Sequence, residues 1–319
     1  MKFTDTKINS HWKRSQILTR LGILSILSFI FVLVMGLERH SSAGNTPYEF
    51  MVAGHVYGPM KPDGMAFIPN FSKFLKAYPL MDLDFIIFTG DFTHNGLPEE
   101  WDEMESEIND YPVRFHYVPG NHDLGNNDDF QRNTFLERTK REKVYDSFLN
   151  GEDLFIILDL ASLENQMTEA NGQEFAHFLK NALKKKHRHV FVFTHYIFWA
   201  KEFGIKSNTS IDPFIFWTDI FPLLKANQKE AFVFGGDTKG TFELVKKDNV
   251  TFIANGISRT NSSSVAVVVV GPHVRIIPTP ILSSSFRGDS SVWRTLRTGS
   301  KSIWRTLRLW YKYFGETNN

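Results

Sequence analysis

The sequence predicts an α/β protein in which helices cover sheets, preceded by an apolar membrane-length segment and followed by a basic amphipathic one. Three observations predict it. Nine short runs rich in Phe, Val and Ile, flanked by Gly, Asn or Asp, punctuate residues 48–285. Helix-period patterns fall between the first of these runs, which are spaced 25 to 40 residues apart. Outside that body lie an uncharged stretch, Leu21 to Leu37, and a repeated Trp-Arg-Thr-Leu-Arg pattern near residue 300.

Taken in order, residues 1–20 form a basic N-terminus, with Lys2, Lys7, Lys13, Arg14 and Arg20 against Asp5. A transmembrane anchor is predicted over 17–37. Seventeen uncharged residues from Leu21 span about 26 Å at about 1.5 Å per residue, and Ile17, Leu18 and Thr19 lengthen the run. Positive residues precede the segment and only Arg39 follows closely, so the N-terminus is expected in the cytoplasm and the rest of the chain outside. A cleaved signal peptide, cut near Ser41-Ser42-Ala43, is the competing reading.

The strand-like runs of the body are Tyr48–Ala53, Asp84–Thr89, Val113–Val118, Leu154–Leu158, His189–Phe193, Ala231–Phe234, Asn249–Ala254, Val265–Val270 and Val274–Pro278. One helix is expected to open at Pro98, with Trp101, Met104 and Ile108 facing inward. Another is expected to start at Asn171, capped by it, with Glu174 three residues on and Phe175, Phe178, Leu179 and Leu183 on one face. No linker divides the body, so 48–285 reads as one domain.

Composition narrows the chemistry. The chain has 319 residues, 42% hydrophobic, which excludes a disordered or collagen-like class. The absence of cysteine excludes disulfides, thiolate zinc sites, Cys-held iron–sulfur clusters and cysteine nucleophiles. With 36 Lys+Arg against 35 Asp+Glu, and the basic residues concentrated at the two ends, the body is acidic, and no nucleic-acid partner is expected.

Five of the strand-like runs end in polar turns of metal-ligand type. They are Gly54-His55-Val56-Tyr57, Gly90-Asp91, Gly120-Asn121-His122-Asp123, Thr194-His195 and Gly236-Asp237-Thr238-Lys239. Strand C-termini in open α/β sheets converge on one crevice. Any one Gly-Asp turn is common, but five in order, each after an apolar run, form a series. His94, His116, His187, His189 and His273 lie off these positions and read as packing or surface residues.

This series resembles the calcineurin-like metallophosphoesterases over most of residues 48–280. The resemblance implies a four-layer α-β-β-α sandwich and five motifs that supply two metal ions: Asp-x-His, Gly-Asp, Gly-Asn-His-Asp/Glu, a lone His and Gly-His-x-His. This chain departs from it at four clustered positions: the first motif is His55-Val56-Tyr57, and the last is Gly236-Asp237-Thr238-Lys239. Carried over position by position, Asp91, Asn121, His195 and Asp237 would hold one ion, Mn, Fe or Zn. His55 would be a further ligand, and His55 and Tyr57 would contact substrate. Two outcomes stay open: a single ion with the Lys239 ammonium in the second place, or two ions with Lys239 turned away. By the same resemblance His122 would protonate the leaving oxygen and Asp123 would orient from behind. The implied activity is hydrolysis of a phosphomonoester or phosphodiester. The alternative is a catalytically impaired relative that binds phosphate or metal in envelope or polysaccharide assembly.

Apolar stretches at Tyr196–Trp199 and Phe214–Trp217 suggest a lid, a lipid-facing rim or a satellite core. In the tail, Ser291-Val292-Trp293-Arg294-Thr295-Leu296-Arg297 recurs eleven residues later as Ser302-Ile303-Trp304-Arg305-Thr306-Leu307-Arg308. Eleven residues is close to three helical turns, so both copies share a face and 288–315 reads as a basic amphipathic helix at an anionic membrane. Membrane lipids, and a lipid-linked or envelope-glycan phosphoester as substrate, are the partners this layout favours.

Overall fold

A computed structural model describes residues 47–58, 66–125, 129–160, 169–205, 214–238, 240–258 and 263–281. The expected anchor at 17–37 and the tail at 288–315 lie outside these residues. Among the described residues, no helix is long and apolar enough to cross a membrane.

Eleven strands are described: β1 (Tyr48–Ala53), β2 (Phe85–Thr89), β3 (Arg114–Val118), β4 (Asp146–Asn150), β5 (Asp153–Ile157), β6 (Val190–Thr194), β7 (Ala231–Gly235), β8 (Phe242–Lys247), β9 (Val250–Asn255), β10 (Ser264–Val270) and β11 (Val274–Pro280). They form two mixed sheets, ordered β11-β10-β1-β2-β3 and β4-β5-β6-β7-β9-β8. The helices used below are α1 (Pro69–Ala77), α2 (Pro98–Ile108), α3 (Asp129–Thr139) and α4 (Glu169–Ala182).

Alternation along the strands sorts their side chains into three apolar layers. Phe50, Val52, Phe85, Ile87, Phe155, Ile157, Phe191 and Phe193 face the space between the sheets. Met51, Ala53, Ile86 and Phe88 face the other way, against α1 and α2 through Phe71, Leu75, Trp101 and Met104. Leu154, Ile156, Val190 and Val192 do the same on the second sheet, against Phe175 and Leu179 of α4. The result is the expected helix, sheet, sheet, helix order.

The abundance of Phe is explained by the layer between the sheets. Within a sheet, neighbouring rings stack, as in Phe50–Phe85 at 5.1 Å and Phe155–Phe191 at 4.9 Å. Across the gap they meet edge to face, as in Phe50–Phe155 and Phe85–Phe155, both at 5.3 Å. Both arrangements suit the ring quadrupole.

Two strands are absent from the sequence reading. β4 (Asp146–Asn150) and β8 (Phe242–Lys247) are edge strands, largely half-buried or exposed, and their polar residues hide the apolar signal. The helix expected to be capped by Asn171 begins earlier, at Glu169, so Asn171 lies inside α4. Its Phe175 and Leu179 are buried as expected. Pro98 does open α2, with Trp101, Met104 and Ile108 buried.

At the strand ends opposite the polar turns, the sheets are tied by an ionic knot. The fully buried Asp153 accepts hydrogen bonds from the Tyr48 hydroxyl at 3.0 Å and from Arg188 at 2.8 and 3.2 Å; its Oδ1 lies 2.9 Å from His189 Nδ1. Burial alone would raise the Asp153 pKa, but His189 and Arg188 bring it from 3.8 down to about 2. A depressed carboxylate pKa stabilises the fold above its unfolded value, and that contribution is lost as pH falls through the folded value. The difference is worth about 2 kcal/mol. We expect Asp153→Asn to cost about 2–3 kcal/mol at pH 7 and to flatten the loss of stability between about pH 4 and 2, measured by urea unfolding across that range.

Candidate metal centre

The strand ends of β1, β2, β3, β6 and β7 bring the polar turns together, and Asp91 sits at their centre. Its backbone is left-handed (φ 57°), as is that of His55 (φ 56°). Such conformations in non-glycine residues hold only when their surroundings over-determine them. Here they do. The first loop lies along the second, with His55 N–H donating to Gly90 O at 3.0 Å, and Val56 and Tyr57 N–H to Asp91 O at 2.9 and 3.1 Å.

From behind, Asp123 fixes the same turn. Its carboxylate accepts from the backbone N–H groups of Asp91 (2.7 Å), Phe92 (3.0 Å), Thr93 (2.9 Å) and Gly120 (2.8 Å), and from the Thr93 hydroxyl (2.8 Å). Burial and the neighbouring Asp91 charge push its pKa up to about 7, against the pull of these hydrogen bonds. Asp123 is fully buried with both oxygens engaged, so it acts as a positioning residue rather than at the reacting atoms.

The Asp91 carboxylate turns one oxygen to each of two histidines. Oδ1 lies 3.3 Å from His195 Nε2, and Oδ2 lies 3.7 Å from His55 Nε2. His195 is completely buried, and its Nδ1 is 3.0 Å from Thr89 O. A carbonyl only accepts, so Nδ1 carries a hydrogen, and Nε2 is the nitrogen that can present a lone pair whenever the ring is neutral. That Nε2 has no hydrogen-bond partner. Burial would lower the His195 pKa, but the charges of Asp91 and Asp237 hold it above the usual value. His55 goes the other way, lowered chiefly by burial in spite of Asp91.

Asp237 is buried, and its N–H donates to His195 O at 3.0 Å, which sets it beside the same histidine. Asn121 occupies the turn between Gly120 and His122, and His122 N–H donates to Asp91 Oδ1 at 3.3 Å. Lys239 lies outside the described residues.

Four rings pack on the His55 side of Asp91. Tyr57 stands 4.9 Å from His55, 4.9 Å from His122 and 5.0 Å from His94, between ring centroids. His94, read from the sequence as a packing or surface residue, therefore belongs to the site. It lies three residues beyond Asp91, so the turn that delivers Asp91 delivers it too. That short spacing was the available signal.

Among the described residues, no group of three or more His, Asp or Glu side chains is arranged to hold a metal ion. The donor set still fits one. A buried imidazole with its tautomer fixed by a backbone carbonyl, and its bare Nε2 turned to a carboxylate, is how histidine is prepared as a ligand. Asp91 and His195 make the start of such a site, and the charge of Asp237 bears on the same histidine.

A family model described as calcineurin-like phosphoesterase matches residues 67–256. The matched stretch includes Asp91, Asn121, His122, His195 and Asp237 and begins after His55 and Tyr57. Among solved structures, a dimetal phosphatase from Danio rerio is similar with a TM-score of 0.53 and 12% identity, over 74% of this chain and 97% of that one. A Staphylococcus aureus protein assigned as a 5′-nucleotidase is similar with a TM-score of 0.49 and 13% identity, over 79% of this chain and 58% of that one. At such identities the likeness concerns the fold. No curated protein matches the chain significantly.

Gly90 offers a test of how tightly the centre is built. Its φ is 81°, and an added Cβ would lie 2.7 Å from His195 Cγ and 2.9 Å from Gly120 Cα. Gly204 shares the left-handed conformation (φ 66°) but has nothing within 4 Å of such a Cβ. Gly204→Ala should cost about 1 kcal/mol, the conformational penalty alone. Gly90→Ala should cost about 2–4 kcal/mol and displace the His195 ring, read by urea unfolding and by the His195 imidazole resonances.

Proposed function

Because the chain belongs to the calcineurin-like phosphoesterase family, we propose that it is a metal-dependent hydrolase of phosphoester bonds, with its centre at Asp91, Asn121, His195 and Asp237. The observation that carries this reading is the buried Nε2 of His195, which makes no hydrogen bond and faces Asp91 Oδ1 at 3.3 Å. A divalent ion held there, Mn, Fe or Zn, would supply an acidified water and offset phosphoryl charge.

The chain's own residues then have separate tasks. Thr89 O orients His195 through Nδ1–H. Asp123 holds the Asp91 turn and the start of the Gly120–Asp123 turn in register through its five hydrogen bonds. His122 places its Nδ1 2.7 Å from His94 O, which leaves Nε2 to face solvent or substrate and to protonate the leaving oxygen. His55 and Tyr57 form the opposite wall and would contact the phosphoryl group. In this reading one ion is bound and the Lys239 ammonium takes the place of the second.

The wider layout belongs to the same proposal. A basic N-terminus at 1–20 and an anchor at 17–37 would hold the 48–285 domain on the extracytoplasmic side of the cell membrane, with 288–315 lying against its lipids. A lipid-linked or envelope-glycan phosphoester suits that location. The replacement of the first-motif carboxylate by His55 favours the second reading, a binding protein with little turnover.

The deciding experiment is hydrolysis of p-nitrophenyl phosphate and its bis-ester with added Mn or Zn, beside metal analysis of the purified protein. We expect metal-dependent turnover, a loss of about 100-fold or more in Asn121→Ala, and a stoichiometry near one. Bound metal without turnover would favour the binding protein, and a stoichiometry near two would remove the role given to Lys239.

A further inference from the structure

The acid role given to His122 depends on its ring being held in one tautomer. The His122 ring finds that support in the backbone: Nδ1 lies 2.7 Å from His94 O.

That carbonyl belongs to a peptide unit gripped at its other end. The peptide joining His94 to Asn95 is planar and trans, so its C=O and N–H point in opposite directions. The Asn95 N–H donates to Glu100 Oε2 at 2.7 Å. The same carboxylate accepts from the Asn95 side-chain amide at 2.9 Å and from the Leu97 N–H at 3.3 Å. On the preceding side, Thr93 is pinned to Asp123 through its N–H and its hydroxyl, at 2.9 and 2.8 Å. His94 is thus suspended between two carboxylate clamps. Its ring also meets the His122 ring edge-on at 5.4 Å.

We propose that Glu100 is a positioning residue for His122, acting through the His94–Asn95 peptide as a carboxylate–peptide–imidazole relay. A carboxylate accepting from one end of a peptide polarises it and makes the carbonyl at the other end a better acceptor. The relay fixes hydrogen on His122 Nδ1 and keeps Nε2 as the working nitrogen. It supplies that support from the first turn of α2. This inference rests on the phosphoesterase reading only for its kinetic consequence; the tautomer is a property of the chain itself.

Two measurements test it. The first compares a p-nitrophenyl ester, whose leaving group needs little protonation, with a phenyl or alkyl ester, whose leaving group needs it. Glu100→Ala should lower kcat about tenfold or more on the poor leaving group and less than about twofold on p-nitrophenyl. In the His122→Ala background Glu100→Ala should then cost nothing further, because the two residues act as one unit. The second measures the imidazole ¹⁵N resonances of His122 in the full chain without metal. Wild type should show hydrogen on Nδ1, Glu100→Ala a tautomer mixture, and Glu100→Gln, which keeps an acceptor and the fold, an intermediate state. Equal losses on both leaving groups, additive losses in the double variant, or an unchanged His122 tautomer in Glu100→Ala would each overturn the relay. A wild type that hydrolyses neither ester would end the phosphoesterase reading, and the tautomer measurement would still decide for or against Glu100.

Discussion

Everything at this site depends on one buried carboxylate in an unfavourable backbone conformation. Asp91 is held left-handed because Asp123 takes its N–H from behind and the first loop takes its C=O from in front. Neither grip suffices alone. The Asp123 grip needs the Gly120 turn, whose own N–H goes to the same carboxylate. The loop grip needs the close backbone approach of the two sheets at Gly54 and Gly236. The reward is a carboxylate whose two oxygens address two different imidazoles, His195 and His55. A flexible Asp would not hold both directions at once.

The two ends of the strands therefore do opposite things with charge. At the far end, Asp153 is paired with Arg188 and hydrogen-bonded by Tyr48 and His189, and its low pKa marks a carboxylate content to be ionised. At the site end, Asp91, Asp123 and Asp237 are all buried, and the Asp123 pKa is pushed up by burial and then by the Asp91 charge. The first arrangement ties the sheets; the second gathers buried carboxylates around the imidazoles of His195 and His55. Like charges buried near one another are costly unless opposite charge or hydrogen bonds offset them. That gathering, more than any single residue, is what marks this end as the chemical one.

Much of this was legible in the sequence, for physical reasons that also explain the gaps. Central strands such as Phe85–Thr89, Val190–Thr194 and Ala231–Gly235 are buried on both faces, so they read as unbroken apolar runs. Their polar ends stood out by contrast, which is why Asp91, His195 and Asp237 could be named. The edge strands Asp146–Asn150 and Phe242–Lys247 carry no such contrast, since half of each meets solvent. The helix expected from Asn171 also takes in Glu169 and Ala170, because Asn171 and Glu174 have the spacing of a cap and so drew the expected start to Asn171. His94 was passed over because its role lies in a backbone carbonyl and a ring contact, and neither leaves a motif.

The presence of a histidine at position 55 is easier to understand once the buried charge is counted. Asp91, Asp123 and Asp237 already lie within this crevice, and a further carboxylate beside Asp91 would add to their repulsion. An imidazole whose pKa burial lowers brings no negative charge and still offers Nε2 toward Asp91. The acceptor for His122 need not be charged itself if it is a peptide carbonyl whose N–H end is held by a carboxylate further out, and Glu100 at the start of a helix is in a place where negative charge is welcome. Moving the charge outward by one peptide unit keeps His122 oriented while lightening the buried load around Asp91. The imidazole of His55 beside Asp91 and the Glu100–His94–His122 contact thus both keep further negative charge away from the centre.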